Sequence, residues 1–278
     1  MRVKLAILTG LEQVAAGARR IGLGAVVDRV APLVGRPFER FELDVGGVRL
    51  AGTELAHLHY VRELREQGRE QTFVRLLAEA VPSGGTVLEG GAHLGFVTVH
   101  AARAAGPKGR VLVFEPNRSI HESLLANLAN NDVADRVQVI PKALGEAAAR
   151  VRFFVSDDTS SLFRAATGAV EDEVDVVRAD EAVTGRVDIV KLDIEGGESA
   201  ALRGMKGLFT ATEPPRSVFV ECFPELLEQA GSSRDELIGL LRAYGYRVEW
   251  IDEVNGRTAA LSEPWPGDYV NLICDRGR

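Results

Sequence analysis

Carboxylates recur in this chain where an apolar run ends and a turn begins. Thr86, Val87 and Leu88 read as a short buried strand closed by Glu89. Gly90, Gly91 and Gly95 then make a tight turn into an apolar helix starting near Phe96. Val111 to Phe114 reads as a second strand ending in Glu115, followed by Pro116 and Asn117. The strand 137–140 leads to Lys142 and Ala143, VDIVKLD leads to Asp193-Ile194-Glu195-Gly196, and SVFVEC carries Glu221. A glycine turn between strand and helix admits a ligand close to the backbone, and an acid at the next strand end can hold the two hydroxyls of a ribose. The pattern therefore predicts a site for an adenosine-containing cofactor at the carboxyl ends of adjacent strands.

The charge of those strand ends bears on which cofactor. A pyrophosphate favours bare glycine amides and a helix N-terminus. A sulfonium and an ammonium favour nearby carboxylates and carbonyls. Four of the five strand ends carry a carboxylate, which favours S-adenosylmethionine over a dinucleotide. A dinucleotide fingerprint starting at Gly90 would also need glycine where the chain has Ala92.

The elements that must position these residues follow from periodicity. From residue 86 onward apolar strands alternate with helical stretches at 96–105, 119–130, 198–209 and 233–243, the last opening with Ser233 and Glu236 at capping-box spacing. Further strands are expected at 151–155, 174–177 and 217–222. Such alternation implies a doubly wound, mostly parallel sheet covered on both faces. YRVEWID and YVNLICD, joined by a loop rich in Gly and Pro with no room for a helix, imply an antiparallel hairpin at its end. Upstream, residues 5–34 carry apolar positions at helical spacing. FELDVGGVRLAG reads as a hairpin around Gly46-Gly47, and 58–80 reads as one helix ended by Pro82, Ser83, Gly84 and Gly85. The expected division is a helical and hairpin cap over 1–64 and a catalytic domain over 65–278.

Composition narrows the partners. A chain of 278 residues with 46% hydrophobic and 26% charged residues can bury a large core. Its net charge of −7 and lack of a basic cluster argue against a nucleic-acid partner. The two cysteines, Cys222 and Cys274, lie in apolar strands and read as buried free thiols of a reducing compartment. No apolar run reaches the ~20 residues of a membrane span. The N-terminal residues read as an amphipathic helix rather than a leader, giving a cytoplasmic protein with no membrane partner. Residues 1–35 carry apolar faces with no evident partner in the chain, so a homodimer through this segment is a further expectation.

Glu89-Gly90-Gly91-Ala92-His93-Leu94-Gly95 resembles the first motif of class I methyltransferases, and the closing hairpin resembles their signature ending. LEGGAHLGFVTV, VFEPN, KALGE, VDIVKLDIEGGESAALRGM and FVEC follow in order and at suitable spacing. Together they resemble the FkbM-type methyltransferase family, most closely between Glu70 and Glu221, with KLDIEGGE the most specific segment. The family usually has Asp at the position of Glu89 and Asn at that of His93. The resemblance implies a Rossmann-like seven-stranded sheet with one antiparallel strand. It also implies methyl transfer from S-adenosylmethionine, leaving S-adenosylhomocysteine, to a hydroxyl of a sugar or secondary metabolite. It places Glu89, Gly91, Ala92, His93 and Gly95 at the methionine end, Glu115 at the ribose, and Pro116, Asn117, Lys142 and Ala143 around the adenine. Asp193 and Glu195 would face the methyl and the acceptor.

Displacement at a carbon activated by a sulfonium needs alignment above all, and an alcohol acceptor must lose a proton. Asp193 is the first candidate base. His93 is the second, because an imidazole of ordinary pKa, ~6.5, suits the task. A divalent cation held by several of Asp193, Glu195, Glu198 and Glu221 is a third option, but no resident metal is predicted. Glu221 and, in a flap over 157–163, Ser160 and Ser161 are expected to touch the acceptor. Asp193, Glu195 and Glu198 also suit the start of a helix. Lys191 reads as a packed stem at a helix-covered edge, and His57 and His59 read as surface residues. His100 and His121 receive no role. The competing functions are an NAD-dependent oxidoreductase and a non-catalytic cofactor-binding module.

Overall fold

The computed structural model describes residues 41–155, 160–161 and 170–276. In chain order it opens with a hairpin, β1 (Phe41–Val45) and β2 (Val48–Gly52), then helices α1 (Leu55–Arg62) and α2 (Gln71–Ala80). Alternation then sets in with β3 (Thr86–Gly90), α3 (Phe96–Ala105), β4 (Arg110–Phe114), α4 (His121–Asn130) and β5 (Val137–Ile140). A small insertion follows: β6 (Ala143–Leu144), β7 (Ala149–Val155), β8 (Ser160–Ser161) and β9 (Val170–Val177). The second half comprises α5 (Ala179–Ala182), β10 (Ile189–Leu192), α6 (Glu198–Arg203), α7 (Lys206–Thr210), β11 (Ser217–Cys222), α8 (Pro224–Gln229) and α9 (Arg234–Ala243). It closes with β12 (Arg247–Asp252), β13 (Arg257–Ala260) and β14 (Val270–Asp275).

The main sheet has the order β13-β12-β14-β11-β10-β3-β4-β5. Strands β11, β10, β3, β4 and β5 run parallel, and β14 is antiparallel to both β11 and β12. The order reverses direction at β3, so the carboxyl ends of β3, β4 and β10 meet at a topological switch point, where open α/β sheets take ligands. The expected mixed α/β sheet is present, but with eight strands instead of seven. The extra strand, RTAA, lies in the segment read as loop and pairs with β12, so both β13 and β14 run against their neighbours. Its four residues lack an apolar run, which hid it.

Two apolar layers cover the faces of the sheet. One packs Val87, Val111 and Val113 under Phe96, Val99 and Leu124, and it also takes in Val45, Val48 and Leu50 of the hairpin with Val61 and Leu64. The other packs Leu88, Leu112, Val190 and Val218 under Leu202, Phe209, Leu237 and Leu241. The hairpin is tied down by side-chain amides as well. Asn127 on α4 accepts from the Ala51 amide (2.7 Å) and donates to the Ala51 and Leu94 carbonyls (3.0 and 2.9 Å). One turn on, Asn131 accepts from the Arg49 amide (3.0 Å) and donates to its carbonyl (2.8 Å). Two asparagines at i, i+4 thus stand in for a neighbouring strand along β2 and satisfy backbone groups that would otherwise be buried unpaired.

Two of the expected helices are interrupted. The run 58–80 is broken into α1 and α2 by a π-helical turn, Glu63–Gln67, and by left-handed backbone at Gly68 (φ 68°) and Glu70 (φ 64°). The run 198–209 is broken at Gly204, where a Cβ would come 2.0 Å from the Gly145 carbonyl oxygen. Helix α8 was not anticipated, although Pro224 in its first turn is a start signal.

Candidate functional site

The turn after β3 is clamped from two sides. Glu115, at the end of β4, accepts from the amides of Ala92 (3.0 Å) and His93 (3.2 Å) with one carboxylate oxygen and from Asn117 (3.0 Å) with the other. From the β10 side, the Lys191 ammonium donates to the Gly91 carbonyl. Gly91 also donates to Phe114 O (2.9 Å), and Gly95 donates to Ala92 O (2.8 Å). Gly91 is left-handed (φ 76°), and a Cβ there would lie 1.8 Å from the Asp193 carbonyl oxygen, so glycine is obligatory.

Beneath the turn lies an ionic cluster. Lys191 and Glu89 are register partners on adjacent parallel strands, which aims their side chains the same way. The Lys191 ammonium lies 3.5 Å from Glu89 and 3.7 Å from Asp193. Glu89 is 1% exposed, and the polar groups beside its carboxylate are the Lys191 ammonium and the Thr98 hydroxyl. Burial raises its pKa, with Lys191 opposing. Burial opposes the charge on Lys191 in turn, yet Asp193, Glu89 and Glu70 together hold its pKa above the ordinary value. The packed-stem reading of Lys191 is therefore wrong. The register of β3 against β10, which sequence does not print, makes it the hub of the site.

Asp193 is 41% exposed at its side chain and opens onto a cavity of about 240 Å³. Arg69, Glu70, Phe73, Lys191, Glu221 and Tyr269 line it as well. Glu70 went unnoticed in the sequence, because nothing in GREQ announces a left-handed break that turns a helix-start acid inward. Burial, opposed by Arg69 and reinforced by Asp193, pushes its carboxyl up to about 7. The Tyr60 hydroxyl donates to it at 3.4 Å and Arg69 lies 3.6 Å away. Burial, with Asp193, Glu195 and Glu198 close by, raises Glu221 well above the usual carboxylate range. Glu198 accepts from the amides of Ile194 (3.0 Å) and Gly196 (3.3 Å), and burial pushes it up to about 7. Its carboxylate is thus engaged in the turn after β10. Glu195 in that turn is left-handed (φ 55°). Among the described residues, three of the four non-glycine positions with positive φ, Glu70, His93 and Glu195, lie in the segments that form this site, as strained backbone does at functional sites.

The His93 ring packs edge-on against Tyr60 (4.5 Å between centroids) and His57 (5.8 Å). Burial, then His57, Lys191 and Arg69, push its pKa down to about 3. The near-neutral value that recommended His93 as a base is corrected: this imidazole is neutral at physiological pH. His57 is buried rather than on the surface, whereas His59 is exposed and lies 3.2 Å from Glu63. The ring of His121 touches the Glu115 carbonyl oxygen at 2.7 Å. Pro116 and Ala143 are buried, and the Lys142 amide donates to Ile140 O at 2.8 Å, which fixes the turn after β5. Ser160 and Ser161 pair in β8 with Val155 and Phe154, at the edge of the insertion sheet. The remainder of the expected flap, 157–159 and 162–163, and the expected dimerisation segment 1–35 lie outside the described residues. Among the described residues no group of three or more His, Cys, Asp or Glu is arranged to hold a metal ion, and no helix is long and apolar enough to cross a membrane.

A family profile described as "Methyltransferase FkbM domain" matches residues 89–248. Over 91 residues the chain is 40% identical to a catechol O-methyltransferase of Mycobacterium tuberculosis, a match covering 33% of this chain and 40% of that protein. Over 214 residues it is 23% identical to methyltransferase sdnD of Sordaria araneosa, covering 62% of this chain and 80% of that one. Among solved structures, methyltransferase FkbM from Methylobacillus flagellatus KT aligns at a TM-score of 0.46 with 16% identity, covering 91% of this chain and 60% of that chain.

Proposed function

Since the chain belongs to the FkbM-type family of S-adenosylmethionine-dependent methyltransferases, we propose that it methylates a hydroxyl oxygen of a small molecule, a sugar or other secondary metabolite. The name of the Mycobacterium tuberculosis relative, catechol O-methyltransferase, supports oxygen as the accepting atom. The observation that carries the reading is the state of the glycine turn. Its Gly91, Ala92, His93 and Gly95 amides are all engaged within the protein, two of them by a carboxylate. A turn so filled offers no anion cradle to a diphosphate, and Glu115 beside it repels one. The residues suit a cation instead, which disfavours the NAD-dependent alternative.

In this reading Gly91, Ala92, His93 and Gly95 line the methionine end of the cofactor, and Glu89, buried beneath the turn, acts there through Lys191. Glu115 keeps lone pairs for the ribose hydroxyls, since an ionised carboxylate has about four acceptor positions and three backbone donors use three of them. Pro116, Asn117, Lys142 and Ala143 flank the adenine. The cofactor supplies a methyl group on a positively charged sulfur. The protein aligns the acceptor oxygen and removes its proton. Asp193, partly exposed at the cavity and oriented by Lys191, takes that proton, and Glu195 and Glu221 hold the acceptor from the turn after β10 and the end of β11. Ser160 and Ser161 close over it. Glu70 is a second candidate for the proton, because it lines the same cavity and its carboxyl, at about 7, exchanges protons near neutrality.

Calorimetry with S-adenosylmethionine and with NAD tests the assignment: the methyl donor should bind and NAD should not, and the reverse overturns it. Asp193→Asn should retain cofactor binding and lose methyl transfer by about 10²-fold or more, the usual range for a general base. A variant as active as the parent would refute the role of Asp193, and absence of turnover in the parent across hydroxylated acceptors would favour the non-catalytic module.

A further inference from the structure

The floor of the cavity carries an acid that the rest of the site leaves without a partner. Glu221, the last residue but one of β11, is 9% exposed and lines the cavity. Among the described residues it makes no hydrogen bond and no ion pair. The two cations that share the cavity are committed elsewhere. Arg69 lies 2.8 Å from Glu63 and 3.6 Å from Glu70, and Lys191 faces Glu89, Asp193 and the Gly91 carbonyl. A buried carboxyl with no partner is costly to ionise. Asp193, Glu195 and Glu198 add to the field against its ionisation and Arg69 opposes them, with the Tyr269 hydroxyl also close by. The field that raises its pKa is the field that attracts a positive charge to its side. Apolar side chains line the cavity as well: Phe73, Ile251, Val254 and Pro266, with Tyr269 stacked on Phe223 at 5.6 Å, alongside the acids Glu253 and Asp268.

We propose that Glu221 is the subsite for a protonated amine of the methyl acceptor, so that the acceptor class is hydroxylated amines with an apolar ring or chain, and anionic acceptors are excluded. The inference rests on the methyltransferase reading and specifies the substrate of that same site. An ammonium entering beside Glu221 completes an ion pair with a largely buried carboxylate, and the Glu221 proton leaves to solvent as the pair forms. A phosphorylated or carboxylated acceptor would instead meet Glu70, Asp193 and Glu221 together.

Three probes of one shape test this with the full chain loaded with S-adenosylhomocysteine: trans-2-aminocyclohexanol, trans-cyclohexane-1,2-diol and trans-2-hydroxycyclohexanecarboxylate. Binding is read by ligand-observed NMR, and proton release by calorimetry in buffers of different ionisation enthalpy. The amine should bind about tenfold or more tighter than the diol, equal to about 1.4 kcal/mol, and the carboxylate weakest. Glu221→Gln should bring the amine to the level of the diol and abolish proton release, while S-adenosylhomocysteine still binds as proof of folding. Equal affinity for amine and diol, no binding of the amine, or a preference surviving Glu221→Gln overturns the proposal and leaves the methyltransferase reading standing. Failure of the parent protein to bind S-adenosylhomocysteine strikes at that reading and removes the subsite with it.

Discussion

Replacing Lys191 with methionine should reveal how much of the site's stability hangs on one ammonium. The substitution keeps the apolar stem and removes the charge 3.5 Å from Glu89 and 3.7 Å from Asp193. At an effective dielectric constant of about 20, the contact with Glu89 amounts to about 5 kcal/mol. Asp193, at 41% exposure, adds no more than about 1 kcal/mol after solvent screening. Glu89 has an escape, because it can take a proton. Holding that proton costs about 1.4 kcal/mol for each pH unit above its unfolded pKa of about 4.3, which caps the loss at about 4 kcal/mol at about pH 7.5 and about 1.6 kcal/mol at about pH 5.5. The sign follows from Glu89 being raised in the folded chain. The native state keeps a proton that the unfolded state has released, so stability falls as pH rises from the unfolded value and recovers on acidification. Urea melts of Lys191→Met across this range should show a deficit against the parent that shrinks by about 2 kcal/mol or more toward the acid end. The double variant Lys191→Met/Glu89→Gln should regain most of it, because removing both members of a buried pair costs far less than stranding one. A deficit below about 1 kcal/mol at about pH 7.5, or strict additivity in the double variant, would refute the account of Lys191 as counter-ion to a buried acid.

Asn127→Ala should strip partners from the Ala51 amide and from the Ala51 and Leu94 carbonyls together. At about 1–3 kcal/mol for each buried group left unpaired, a loss of about 3 kcal/mol or more is expected in denaturant melts. Hydrogen exchange at the Ala51 amide should accelerate at the same time, and an unchanged rate would sink the explanation. His93, held to about 3 by burial, should show imidazole proton shifts that stay flat between about pH 5 and 8. Its depressed value also means that stability is fully present above the unfolded pKa of about 6.5 and is lost as pH falls toward 3. A titration midpoint near 6 would show that the ring is solvated.

The strand-end acids and glycine turn were legible because each lies within one local segment. Glu89, Glu115 and Asp193 close apolar runs, and Gly91 and Gly95 mark the turn without any knowledge of the sheet. What escaped notice depends on contacts between segments. Lys191 reads as a packing stem until β10 is set in register with β3, and only then does its ammonium meet Glu89. Glu70 looks like any acid before a helix, and its inward turn follows from a left-handed backbone that few non-glycine residues adopt. His57 and Tyr60 meet His93 where the hairpin, packed through Val45, Val48 and Leu50 and tied to α4 by Asn127 and Asn131, brings the first helix to the turn, a long-range arrangement with no local signature. For His93 the residue was visible and its chemistry was not, since burial sets its protonation and sequence is silent on burial. Strand β13 escaped for the opposite reason: it is locally featureless and exists only because β12 offers an edge.

Glu253, from the turn between β12 and β13, accepts the amides of Thr72 (2.8 Å) and Phe73 (2.9 Å), and so caps the first turn of α2 with a carboxylate from the far end of the chain. Arg69, Glu70 and Phe73 on one wall of the cavity are thereby latched to Val254 and Glu253 on the other. Loop grafting between relatives to retune acceptor choice must therefore transplant residues 69–73 and 253–254 as a matched set. A chimera that swaps only the C-terminal loop inherits an uncapped helix and a misaligned wall, however well its new side chains suit the incoming molecule.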